Sequence, residues 1–198
     1  MPYFQPATAN YFGFMPANGM DNCPVNAYPV SSSEGVISAG DLCVLTSKNT
    51  VKTASTANAA TANVIGVAAQ SFAANAGSTT ITATNRVLIY DDPHQLYTIC
   101  DSSSGVVGSS GIGLSYFICA TGVVGSAGPS TTLLRSVMAI SGAVHASSAG
   151  AVKIIALHPM ENNVYATGTT GAGNVRKWIV SLRSHTFQTA DTVDLLTS

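Results

Sequence analysis

The sequence predicts an all-β protein: a small β-barrel or a β-tulip or sandwich core preceded by an extended N-terminal arm. Three observations lead there. Short apolar runs of strand length recur from residue 36 onward, Gly, Ser, Thr and Asn bound each of them, and proline is concentrated in the first 35 residues.

The first 35 residues carry Pro2, Pro6, Pro16, Pro24 and Pro29 among Tyr3, Phe4, Tyr11, Phe12, Phe14 and Tyr28. Proline removes a backbone donor and fixes φ, so at this density it excludes a helix and any central strand. The aromatic side chains still require burial. An extended arm can provide it by docking on another subunit or by packing on its own core.

Within residues 36–159 the strand candidates are Leu42-Cys43-Val44-Leu45, Val64 to Ala68, Thr79 to Ala83, Val87 to Tyr90, Leu96 to Cys100, Tyr116 to Ala120, Leu133 to Ile140 and Val152 to Leu157. Their β-branched content suits a pleated, half-buried surface. Residues 160–198 form a C-terminal segment that adds a strand or a loop extension. There Trp178, Val180 and Leu182 alternate with Lys177, Ser181 and Arg183, as one buried and one solvated strand face would; Ile179 departs from the pattern. The stretches Thr53 to Thr61, Ser102 to Gly113 and Gly168 to Gly173 read as loops by composition.

Composition narrows the function. Of 198 residues 46% are hydrophobic, but only 9% are charged, against roughly 25% in ordinary soluble domains. The surface is therefore dominated by Ser, Thr, Asn, Gly and Ala, and it desolvates at low cost when two subunits meet. Eight Lys and Arg are scattered without a basic cluster and the formal net charge is -1, which leaves no electrostatic footprint for a nucleic-acid backbone. No apolar run approaches the roughly 20 residues needed to span a bilayer, so no membrane partner is expected. The first residues have neither a basic nor an apolar signal region, and the chain reads as soluble and made in the cytoplasm.

Few residues are candidates for chemistry. Cys43, Cys100 and Cys119 sit in apolar runs and read as small buried hydrophobes, with an inter-strand disulfide or a reactive thiol as the alternatives; Cys23 has no partner at metal-ligand spacing. Asp91-Asp92-Pro93-His94 places two carboxylates near an imidazole, as a divalent cation or an acid–base pair would require. Asp before Pro is also strong turn chemistry, and the turn is the favoured reading. His145, His158 and His185 read as strand-end or surface residues. Gly108 to Gly113 lacks the Lys-Ser/Thr ending and the helix of a phosphate loop, and no nucleophile elbow or His-Glu-x-x-His occurs. No catalytic residue, cofactor or metal is nominated, and the chain is not expected to be an enzyme.

The order of segments carries a resemblance. Gly40-Asp41-Leu42-Cys43-Val44-Leu45, then Val64-Ile65-Gly66-Val67-Ala68-Ala69, a Gly77 turn, the Thr79 to Tyr90 hairpin, Ser136 to Ile140 and Val152 to Pro159 together resemble the head decoration or capsid cement proteins of tailed bacteriophages over roughly residues 36–159. The resemblance implies a small β-barrel or β-tulip domain, often trimeric, that binds the exterior of an assembled capsid and holds neighbouring major capsid protein subunits together. Its expected location is the virion, after synthesis in the host cytoplasm. Tyr3, Phe4, Tyr11, Phe12 and Phe14 are then the expected interface anchors, because aromatic side chains dominate subunit contacts. The alternative is a virion surface or fibre-associated domain that binds a host glycan or receptor.

Overall fold

The computed structural model describes residues 13–18, 23–31, 34, 36–54, 63–73, 85–101, 107, 111–119, 136, 138–145, 150–159, 176–183 and 185–187. Among them there is no α-helix, and the strands are β1 (Met15–Pro16), β2 (Asn26–Pro29), β3 (Val36–Ile37), β4 (Leu42–Leu45), β5 (Val51–Thr53), β6 (Val64–Ala68), β7 (Phe72–Ala73), β8 (Arg86–Tyr90), β9 (Leu96–Cys100), β10 (Ser115–Cys119), β11 (Ala139–His145), β12 (Val152–Leu157) and β13 (Lys177–Leu182). They form a six-stranded sheet in the order β1-β9-β13-β12-β10-β11, a five-stranded sheet in the order β2-β8-β6-β4-β5, and the two-stranded pair β3-β7. All pairings between these strands are antiparallel. The architecture is a sandwich of two sheets, not a closed barrel.

The main core lies between the two large sheets. Tyr97, Ile99, Tyr116, Ile118, Ile140, Val152, Ile154, Trp178, Val180 and Leu182 from the six-stranded sheet meet Leu42, Val44, Val64, Val67 and Tyr90 from the five-stranded one. A second core covers the other face of the five-stranded sheet, where Cys43, Ile65, Ala68, Val87 and Ile89 pack with Val30, Ile37 and Val51. The five-stranded sheet is therefore apolar on both faces. This explains why β6 is a continuous run, Val-Ile-Gly-Val-Ala, buried at every position, while β13, with one side turned outward, alternates as its sequence predicts.

Gly66 sits where this packing is tightest. Its φ is +147°, and a Cβ there would lie 2.0 Å from the Tyr90 carbonyl oxygen. The β4–β6 register shifts beside it, between Cys43 and Val44. Only glycine lets the β8 backbone approach β6 this closely.

The first 35 residues contribute to both large sheets. β1 and β2, which carry Pro16 and Pro29, are edge strands, as proline without a ladder donor requires. β13, from the C-terminal segment, lies in the sheet interior between β9 and β12. Of the strand expected over 133–140, residues 133–135 and 137 lie outside the described residues, Ser136 and Met138 are not in a strand, and β11 begins at Ala139. The reason is local: the Ser136 backbone N–H donates to the Ala39 carbonyl at 3.2 Å, and the Ser136 hydroxyl accepts the Met138 N–H at 3.2 Å, so these groups are used outside a ladder. Thr53, expected to open a loop over 53–61, instead ends β5, where it pairs with Cys43; residues 55–61 of that loop, the strand expected over 79–83 and the loop at 168–173 lie outside the described residues.

Candidate functional site

Of the five expected interface anchors, Tyr3, Phe4, Tyr11 and Phe12 lie outside the described residues. Phe14 does not serve as an exposed anchor: it is 1% exposed and belongs to the main core. Its ring meets Tyr97 edge-on, with centroids 6.2 Å apart and planes at 89°, and its backbone N–H donates to the Gly40 carbonyl at 2.9 Å. Gly13, with φ of +65°, makes the entry possible, since a Cβ there would collide with Ser136 and the Gly40 carbonyl. Phe14 buries more aromatic surface in its own sandwich than an extended edge could offer it.

The Asp41 carboxylate organises the same junction. It accepts the Ser38 backbone N–H at 2.8 Å and the Ser136 hydroxyl group, joining the turn before β4 to the segment before β11. Burial pushes its pKa up, because these bonds only partly replace water. The Gly-Asp pair is thus a buried turn that ties two parts of the chain together.

Asp91-Asp92-Pro93-His94 forms the β8–β9 turn. The Asp92 carboxylate accepts the His94 backbone N–H at 2.8 Å, and the Asp92 carbonyl accepts the Gln95 N–H at 3.1 Å. Asp91 points elsewhere: Asn26 Nδ2 donates to its two oxygens at 3.1 and 2.8 Å, and the Tyr28 hydroxyl donates to Oδ2 at 2.5 Å. These bonds fasten β2 to the end of β8, and burial together with the Asp91 bond pushes the Tyr28 phenol well up. Among the described residues no three His, Cys, Asp or Glu side chains are grouped to hold a metal ion.

A buried ion pair anchors the start of β13. Asp101 is 1% exposed, and its carboxylate accepts the Arg176 backbone N–H at 2.7 Å, with the Arg176 guanidinium at 3.8 Å. Arg176 Nη1 also donates to the Val107 carbonyl at 3.3 Å. Desolvation outweighs these partners and the Trp178 indole, so the Asp101 pKa is raised.

Among the described residues, the Cys43 and Cys100 thiols are held protonated. Cys43 is fully buried, and burial first, then the nearby Asp41 and Glu34 carboxylates, raise its pKa far above the ordinary thiol value. Burial raises Cys100 to about 11. A thiol held protonated is a poor nucleophile. Cys23 donates to Gln95 Oε1 at 3.2 Å, and the Cys119 side chain lies outside the described residues. His185 departs from expectation: it is buried, with 3% exposure, against β6.

The exposed large apolar residues include Ile112, Leu114 and Ile155. The Gly113 N–H donates to the Ile154 carbonyl at 2.8 Å and the Ile154 N–H to the Leu114 carbonyl at 3.1 Å, so the turn at 111–114 lies alongside β12. This brings apolar groups to one rim of the six-stranded sheet, where the sequence showed only a glycine-rich loop. Their short spacing around Gly113 offered no periodic signal. Against known protein families, curated proteins and solved structures, the chain shows no match.

Proposed function

We propose that this chain is a virion structural protein that binds the outer surface of a phage capsid and stabilises it by clamping neighbouring major capsid subunits, a role that calls for contact area and not for reactive groups. The observation that carries the reading is the surface: only 9% of residues are charged, and Ile112, Leu114 and Ile155 remain exposed at one sheet rim. Such a surface loses little hydration when covered by protein. Tyr3, Phe4, Tyr11 and Phe12 remain the aromatic anchors of the proposal, and a homotrimer is its proposed form, since several weak contacts engaged together raise avidity.

Co-sedimentation of the purified chain with empty phage heads lacking it tests the reading. Saturable binding that raises the heads' resistance to heat is the expected result, and deletion of residues 1–12, which spares Phe14 and β1, is expected to weaken it. Absence of binding rejects the proposal. Binding to cells or glycans without any capsid would replace it with the receptor-binding alternative.

A further inference from the structure

The C-terminal end of the described chain is fastened to the five-stranded sheet through a histidine that has no place for a second proton. β8 pairs with β6 only at Val67 and Ala68. Beyond Tyr90 the chain turns away, and Val64 takes His185 as its neighbour in a parallel bridge. Thr186 then donates both its backbone N–H, at 2.7 Å, and its hydroxyl, at 3.0 Å, to the Val64 carbonyl.

His185 Nδ1 accepts the Phe187 backbone N–H at 3.1 Å, which requires the neutral ring with its proton on Nε2. Nε2 is buried with no partner within hydrogen-bond distance, and the Ile65 backbone favours the charged ring. The Phe187 ring lies against the imidazole, with centroids 5.7 Å apart. The titratable groups around it are Asp91, Asp92 and His94 of the β8–β9 turn. The two carboxylates favour the charged ring and His94 opposes it, while β6 supplies no ionisable side chain. Burial outweighs the carboxylates and holds the ring neutral below its ordinary range.

We propose that His185 is an acid-released latch: a proton taken up from solvent at the Nδ1 lone pair expels the Phe187 N–H and frees residues 185–187 from Val64. The imidazolium would carry two N–H donors where Nδ1 faces the Phe187 N–H and Nε2 has no hydrogen-bond partner, so the charged ring is accommodated by moving outward. The latch stands apart from the capsid-binding proposal and does not require it.

Amide hydrogen exchange of the full chain between about pH 8 and about pH 5, corrected for intrinsic exchange, tests it. Protection at Thr186 and Phe187 is expected to fall by roughly tenfold or more below about pH 6 while Trp178 to Leu182 keep theirs. In His185→Asn, whose amide oxygen can accept the Phe187 N–H but does not titrate, protection should stay level. Level protection in the wild-type chain, an equal loss in the variant, or a parallel loss at Trp178 to Leu182 overturns the latch. An NMR titration of the wild-type imidazoles decides without any variant: the His185 midpoint should lie below the ordinary histidine value and coincide with the loss of protection, and a midpoint at or above that value refutes the proposal.

Discussion

Gly66 shows how one residue can set the distance between two strands. A side chain there meets both a left-handed φ and the Tyr90 carbonyl, so Gly66→Ala is expected to cost about 2–4 kcal/mol. Urea unfolding, read as a lowered midpoint at unchanged slope, checks it. Asp101 makes a different demand. Removing its carboxylate in Asp101→Ala leaves the Arg176 guanidinium, 6% exposed, without its counter-charge. A loss of about 3–5 kcal/mol in the same experiment is expected, because an uncompensated buried charge costs more than the pair contributes.

At the scale of elements, β13 provides a direct comparison of its two faces. Trp178→Ala empties a fully buried site and should cost about 3–5 kcal/mol, whereas Ile179→Thr, on the partly exposed face, should cost less than about 1 kcal/mol; thermal unfolding of the two variants separates them. This face assignment was legible in the sequence because Trp178, Val180 and Leu182 keep a period of two. β4, β6, β9 and β12 were legible for another reason, as apolar runs cut by turn residues. β5 was not, since Val51-Lys52-Thr53 is short and two-thirds polar, and β3 and β7 have only two residues each. The sequence also signalled that Phe14 needs burial but not against which surface, because its partner Tyr97 is 83 positions away. His185 carried no signal: its immediate neighbours Ser184 and Thr186 are polar and no apolar period runs through it, and only the turn of the chain after Tyr90 makes room for it beside Val64.

For the whole molecule, acid acts through two opposing sets of groups. Burial raises the Glu34, Asp41 and Asp101 carboxyls above their unfolded values, so their contribution to stability is full at low pH and is lost as pH rises through the folded pKa. Burial lowers His158 and His185, whose contribution is full above the unfolded value and is lost as pH falls. The two trends oppose each other between about pH 4 and about pH 6.5. Asp41→Asn removes part of the first, and its stability should therefore fall more steeply with acid than that of the wild-type chain, as urea midpoints measured across this range will show. The connectivity of the two sheets has a bearing on synthesis. All five strands of the smaller sheet come from residues 26–90, whereas the larger sheet draws on β1 at one end of the chain and β13 near the other. During translation the smaller sheet can assemble first and then wait, with Leu42, Val44, Val64 and Val67 uncovered, until β13 leaves the ribosome. The nascent chain thus passes through a half-sandwich with a bare greasy face, and slow elongation between residues 90 and 182 would prolong its exposure to aggregation and to chaperones.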